Sequence, residues 1–148
     1  MADVTIRECT EEDLDAVSRL QRRWEAEGIT HGLTADGRED LIKRLGPFFF
    51  VAEVDATIEG YVSGFEQVSS GDAVMAFCEH YLKVDEIYVQ PESRDKGIGG
   101  MLLDRLLETA RQDGISRFTV YSASKNLDGI LEFYRRHGFK SWDVTLFI

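Results

Sequence analysis

The residues best suited to bind a charged ligand form one short glycine-rich turn. In order they are Arg94, Asp95, Lys96, Gly97, Ile98, Gly99 and Gly100. Glycines allow a backbone to approach a ligand closely. The turn opens a long segment with apolar residues at helical spacing, and the first amides of a helix have no internal partner and carry the positive end of its dipole. We therefore predict a phosphate-binding turn, to which Arg94 and Lys96 add positive charge.

Two common nucleotide-binding motifs do not fit this turn. A P-loop requires Gly-Lys-Ser/Thr after the last glycine, but Met101 follows Gly100 here. A dinucleotide-binding turn requires Gly-x-Gly-x-x-Gly, and Leu102 occupies the position of the third glycine. The phosphate would therefore belong to another kind of ligand.

Composition argues against several other classes of protein. The net charge of −10 is unfavourable for nucleic-acid binding, which needs clustered Lys and Arg. Cys9 and Cys78 form no disulfide framework, and the three histidines show no ligand spacing, so no metal is expected. The sequence lacks an apolar run long enough to cross a membrane and a secretory signal at its start, so we expect a cytoplasmic protein.

The pattern of apolar residues predicts a single α/β domain over residues 1–148, with a mixed central sheet flanked by helices. The predicted order is β-α-α-β-β-β-α-β-α-β. Helices are expected at 10–27, 39–45, 97–113 and 126–137. Strands are expected at 4–8, 48–53, 59–67, 84–89, 117–122 and 142–147, and the segment 68–80 has no clear assignment.

Two motifs in this order resemble those of the GNAT superfamily of N-acetyltransferases. Arg94-x-x-Gly97-x-Gly99 resembles the acetyl-CoA motif Arg/Gln-x-x-Gly-x-Gly/Ala. Downstream, an Asn precedes Phe-Tyr and Gly-Phe pairs, as in the second family motif; these residues are Asn126, Phe133, Tyr134, Gly138 and Phe139. The resemblance covers nearly the whole chain. It implies an acyltransferase that moves an acetyl group from acetyl-CoA, its cosubstrate, to a primary amine by direct attack.

The resemblance also implies roles for individual residues. Tyr134 would be the general acid that protonates the departing sulfur. Main-chain groups of Ile87 and Val89 would hold the pantetheine arm. The expected cofactor contacts also include Tyr88, Asn126, Phe133 and every residue of the turn 94–100. Asn126 lies eight positions before Tyr134, one more than is usual in the family.

The general base is one of two adjacent carboxylates, Asp85 and Glu86. Neighbours on a strand point to opposite faces, so we expect only one of them to enter the cleft. Polyamine-type members of the superfamily carry an acid at the position of Asp85, whereas others use an acid near Glu86. We favour Asp85, acting directly or through a water.

The distribution of acidic residues suggests a cationic acceptor. Acids cluster where the acceptor should bind, at Glu25, Glu27, Asp36, Glu39, Asp40, Asp72 and Glu79. The expected partner is a small-molecule amine such as a polyamine, a lysine-like amine or an amino sugar, with no nucleic acid and no membrane. Two alternatives stay open: a non-catalytic acyl-CoA-binding module and a protein lysine acetyltransferase. The oligomeric state is also open, a homodimer being one arrangement.

Overall fold

The computed structural model describes residues 3–148, which contain a five-stranded sheet in the order β1-β2-β3-β4-β5. The strands are β1 (Val4–Glu8), β2 (Phe49–Val54), β3 (Thr57–Ser70), β4 (Phe77–Val89) and β5 (Phe118–Val120). The first four are antiparallel neighbours, and β5 runs parallel to β4. The mixed sheet expected from the sequence is confirmed.

Helices cover both faces of this sheet. They are α1 (Leu14–Glu27), α2 (Arg38–Ile42), α3 (Ile98–Gln112) and α4 (Leu127–Arg136), with short 3₁₀ turns at Glu11–Asp13 and Pro91–Ser93. The apolar stripe of α1 and Leu41 of α2 pack on one face. The stripe of α3, which includes Leu102 and Leu106, packs on the other face together with Tyr134 of α4. The ligand-binding region must therefore lie at an edge or an end of the sheet.

The segment left unassigned in the sequence completes a long hairpin. Strand β3 continues to Ser70, and β4 begins at Phe77. The turn between them is organised by Asp72, whose carboxylate accepts hydrogen bonds from the amides of Val74 and Met75 at 2.9 and 2.8 Å. Strand β4 therefore extends from this hairpin turn at one end to the glycine-rich turn at the other.

The predicted last strand, 142–147, is wrong: this segment is irregular in the structure. Its alternation of apolar and polar residues is typical of a strand, but a strand forms only where another backbone completes its hydrogen bonds. Trp142 and Val144 line a cavity of about 690 Å³ beside β5, so side chains and space separate the two segments. The strand predicted at 117–122 is also shorter, at Phe118–Val120.

No helix within residues 3–148 is both long enough and apolar enough to cross a membrane.

Candidate active site

The candidate site begins where β4 and β5 separate. Their pairing ends at Val84 and Val120, but β4 continues to Val89. The amide of Gln90 donates to Glu59 O at 3.0 Å, on the β3 side. Because amides alternate along a strand, those of Ile87 and Val89 face the other side, where β5 no longer pairs. The separation thus exposes backbone donors between two strands of the sheet.

The glycine-rich turn lies directly after this open end of β4. Gly97 caps α3 with a φ of 80°, a conformation that favours glycine. Met101 N is the first amide of the helix to bond back, to Gly97 O at 3.0 Å. The preceding amides of Ile98, Gly99 and Gly100 have no partner within the helix, so they can bind an anion.

Two of the glycines also lie against side chains of α4 and its C-terminal end. A side chain at Gly99 would lie 3.6 Å from the Phe133 ring, and one at Gly100 would lie 3.3 Å from the His137 ring. Both rings belong to the end of α4. Nothing lies within 4 Å of a side chain placed at Gly97, so the open space of the turn is there.

A β-bulge shapes the middle of β4. Ser63 of β3 pairs with Glu86, and Gly64 pairs with Val84, which leaves Asp85 as an extra residue in β4. The bulge reverses the alternation of side chains. Val84 and Ile87 both face the cluster under α3, although three positions separate them.

As a result, Asp85 and Glu86 lie on the same face, and the expectation that only one of them does is wrong. A single nitrogen of Arg44 lies 2.8 Å from Glu86 Oε1 and 3.4 Å from Asp85 Oδ2. The other terminal nitrogen of Arg44 lies 2.6 Å from Asp36 Oδ2. The alternation expected from the sequence does not hold here because β4 is not a regular strand at the bulge.

The two carboxylates differ in their hydrogen bonds. Glu86 Oε1 accepts from Gln21 at 2.7 Å, from Arg44 at 2.8 Å and from the Tyr61 hydroxyl at 3.0 Å. Asp85 Oδ2 is buried and has no hydrogen-bond partner among the described residues. Burial raises the pKa of Asp85, Arg44 opposes that shift, and Glu86 adds to it. Asp85 therefore has both a raised pKa and an oxygen without a hydrogen-bond donor, which suits a proton acceptor.

Tyr134 lies on the opposite face, at the end of α4. Its side chain is 7% exposed and packs edge-on against the rings of Phe133 and Phe139. Burial raises the pKa of Tyr134 to about 12, so it is protonated throughout the physiological range. Among the residues that the structure describes, its hydroxyl makes no hydrogen bond, and burial is the only cause of the pKa shift.

The sequence pattern that defines the acetyltransferase (GNAT) family matches residues 11–139. The chain belongs to this family. Over 106 residues, 71% of the chain, it is 30% identical to an uncharacterized N-acetyltransferase of Methanocaldococcus jannaschii. The chain spans 44% of the length of that relative.

Solved structures of acetyltransferases share the fold. An aminoglycoside N-acetyltransferase in complex with CoA superposes with a TM-score of 0.75 at 17% identity, covering 100% of this chain and 95% of the other. A predicted acetyltransferase from Clostridium acetobutylicum, solved with acetyl-CoA, gives a TM-score of 0.73 at 19% identity, with 99% and 96% covered. The expected family and α/β fold are confirmed.

Three residues of the GNAT motifs have structural contacts in this chain. The guanidinium of Arg94 is paired with Glu27. The ring of Tyr88 packs on the α1 face, stacked on Trp24 at 5.1 Å. Asn126 caps α4, its carbonyl accepting from Gly129 N at 3.2 Å. Their side chains thus shape the site from within the protein, while Lys96 is exposed.

The sequence analysis missed Gln21, Arg44 and Tyr61, which surround the carboxylate pair. One signal was available for Gln21: it is a polar residue on the apolar stripe of α1, and it is 1% exposed. Buried polar groups require partners, so its position indicated a polar cluster beneath α1. Arg44 follows a short helix and has no comparable signal.

Proposed function

We propose that this GNAT chain transfers an acetyl group from acetyl-CoA to a cationic primary amine by direct attack. The observation that carries the proposal is the separation of β4 from β5. It exposes the amides of Ile87 and Val89 between the glycine-rich turn and Tyr134. Ile87, Val89 and Phe133 pack against the same apolar cluster as Tyr134, which supports one continuous cofactor cleft.

The residues of this cleft fit acetyl-CoA. The amides of residues 98–100 and the exposed Lys96 would hold the pyrophosphate, and the amides of Ile87 and Val89 would hold the pantetheine arm. An amide directed at the thioester carbonyl would polarise it as an oxyanion hole does. Acetyl-CoA supplies the thioester, and the protein supplies position and proton transfer.

Two proton transfers complete the proposed reaction, one from the amine and one to the sulfur. The reacting ammonium first loses one proton to solvent. The neutral amine nitrogen then forms a bond to the acetyl carbon, and the carbon–sulfur bond breaks. The proton of the amine passes to Asp85, directly or through a water, and Tyr134 donates its proton to the sulfur. Solvent then restores both residues. The raised pKa of Asp85 favours the first transfer, and the buried phenol of Tyr134 supplies the second.

Charge beside the bulge supports a cationic acceptor. The carboxylates of Asp36, Asp85 and Glu86 surround the guanidinium of Arg44, which leaves an excess of negative charge where the amine must arrive. Several acids counted in the sequence are paired elsewhere, such as Glu79 with Arg117. The attraction is therefore local to the bulge and weaker than the total charge suggests.

The test is a panel of amines incubated with acetyl-CoA and the protein, with release of free thiol as the readout. The panel contains diamines, amino sugars, a neutral-chain monoamine and a lysine-containing peptide. We expect turnover with a small cationic amine and a strongly reduced rate in the variant D85N under the same conditions. Binding of acetyl-CoA without turnover of any amine would contradict the proposal in favour of a non-catalytic module. Turnover of the peptide alone would favour protein acetylation.

A further inference from the structure

All three nitrogens of the Arg94 side chain donate hydrogen bonds within the protein. Its two terminal nitrogens donate to Glu27 Oε1 and Oε2, each at 2.8 Å. Its Nε donates to Val89 O at 2.9 Å, and the guanidinium lies 5.4 Å from the centroid of the Tyr88 ring. Because this paired geometry suits a guanidinium and a carboxylate well, a phosphate would have to displace Glu27 to form a paired contact with the two terminal nitrogens of Arg94.

Glu27 is the last residue of α1 and is itself held in place. The Tyr88 hydroxyl donates a hydrogen bond to Glu27 Oε2. The Glu27 side chain is only 18% exposed. Gly28 follows with a φ of 64° and ends the helix. The ion pair thus attaches the glycine-rich turn to a rigid helix end.

The same end of α1 also contacts the β5 side of the separation between β4 and β5. Trp24 donates from its indole nitrogen to Thr30 Oγ1 at 3.0 Å, and Thr30 forms a β-bridge with Ser124. Two backbone bonds reinforce this bridge, His31 N to Ala123 O and Lys125 N to Ile29 O, both at 2.9 Å. The end of α1 therefore connects the loop after β4 with the segment after β5.

We propose that Glu27 and Arg94 are positioning residues whose ion pair fixes the glycine-rich turn to the end of α1. Arg94 then supports CoA binding by holding the turn's backbone amides in place and makes no contact with the phosphate. This inference rests on the proposed function, since it takes CoA as the ligand of the turn. It replaces the role of phosphate-binding cation that the sequence suggested for Arg94.

The two roles of Arg94 predict different behaviour of Glu27. If Arg94 bound phosphate directly, Glu27 would compete with the ligand, and E27Q would bind CoA as well as or better than the wild type. If the pair holds the turn, loss of either partner releases the same restraint. The two losses would then not add, since either one breaks the whole interaction.

The experiment measures CoA affinity by calorimetry at low and high salt for R94Q, E27Q and the double variant. We expect each single variant to bind roughly tenfold more weakly, the size of a typical coupling between linked sites. The double variant should bind no more weakly than either single variant. The slope of affinity against salt should match that of the wild type, because no cation–phosphate contact is lost.

A control removes an exposed ion pair near the other end of α1, between Asp15 of α1 and Arg38 of α2. Arg38 and Asp15 lie 3.1 Å apart on the surface, and the variant D15N/R38Q should bind CoA as the wild type does. If E27Q proves poorly folded by thermal unfolding, E27D keeps the charge but shortens the contact and should lose affinity to a smaller extent.

Two results would overturn the inference alone: unchanged or tighter binding in E27Q, or a reduced salt slope in R94Q. A wild-type protein that does not bind CoA would overturn the proposed function and this inference with it.

Discussion

Asp85 and Glu86 are adjacent carboxylates with opposite surroundings. Glu86 accepts hydrogen bonds from Gln21, Arg44 and Tyr61, whereas a buried oxygen of Asp85 accepts no hydrogen bond from the described residues. Leaving a buried polar atom unsatisfied is unfavourable for folding, and such atoms gather where a ligand will complete the contact. We therefore assign anchoring of the bulge to Glu86 and proton transfer to Asp85.

For the variant D85N we expect kcat/KM for the amine to fall by about 10²–10⁴, the contribution of a general base. The pH profile gives a second readout. In the wild type, activity should fall on acidification as Asp85 becomes protonated and can no longer accept a proton. The part of this limb that is due to Asp85 should disappear in D85N, which leaves only the limb set by protonation of the amine substrate. A residual profile with the same limb would show that another group is the base.

The same substitution should stabilise the fold at neutral pH. Burial raises the pKa of Asp85 in the folded state above its value in the unfolded chain, so the folded state binds the extra proton between these two pKa values. Stability falls as the pH rises through this window. D85N should therefore have the higher Tm at pH 7, and the difference should vanish below the pKa of the unfolded chain, ~3.9.

E86Q is the matched comparison for that measurement. It should lower the Tm at pH 7, because it weakens three hydrogen bonds to a charged acceptor. Equal changes in Tm for the two variants would contradict the assignment of different roles.

For Tyr134, the variant Y134F should lower kcat by about 10²–10⁴ while CoA affinity stays close to that of the wild type. The ring is buried among Phe133 and Phe139, so removal of the hydroxyl alone leaves packing intact. Steady-state kinetics measure the change in kcat, and calorimetry measures CoA affinity. Y81F, which removes an exposed hydroxyl bonded to Gln67, is the control. Wild-type turnover in Y134F would return Tyr134 to a packing role.

At the scale of elements, the start of α3 is both a binding surface and a packing surface. A methyl group at Gly99 would make an ordinary contact with Phe133 at 3.6 Å, so G99A should keep CoA affinity within about threefold, less than 0.7 kcal/mol. G99E adds bulk and negative charge at the end of the helix where phosphate should bind, and it should abolish binding. Calorimetry on both variants separates the two effects. Loss of affinity in G99A as well would show that packing alone controls the turn.

The sequence predicted most elements because their signals are local. The apolar stripes of α1 and α3 and the alternation in β2 and β3 each need only neighbouring residues to be read. The strand predicted at 142–147 failed because its existence depends on a partner backbone. The bulge at Asp85 could not be predicted for the same reason. A bulge is an extra residue in the pairing of two strands, so the sequence of one strand does not reveal it.

The site residues also divide into those that local sequence predicts and those that depend on distant parts of the chain. The glycine-rich turn and Tyr134 were recognisable because family motifs contain them in order. Arg44 was not, since its role depends on the loop after α2 reaching the bulge of β4. Arg94 shows the converse: its residue type suggested a phosphate ligand, and Glu27, distant in sequence, is its partner.

At the scale of the whole molecule, the net charge of −10 and the carboxylates around the bulge make a salt-dependent prediction. A diamine should have a higher kcat/KM than a neutral-chain monoamine of similar length, because the second ammonium is attracted to the acidic cleft. The ratio should shrink at high salt as the field is screened. If the monoamine is equally good and salt affects neither amine, the cleft does not select charge.

The buried oxygen of Asp85, which accepts no hydrogen bond within residues 3–148, also bears on how the protein could be evolved in the laboratory. A library screened for heat resistance alone should enrich Asn at position 85, since that change relieves the folded state of a desolvated charge. The selected variants would be thermostable but inactive. Libraries for a thermostable catalyst should hold position 85 constant and diversify surface sites away from the bulge.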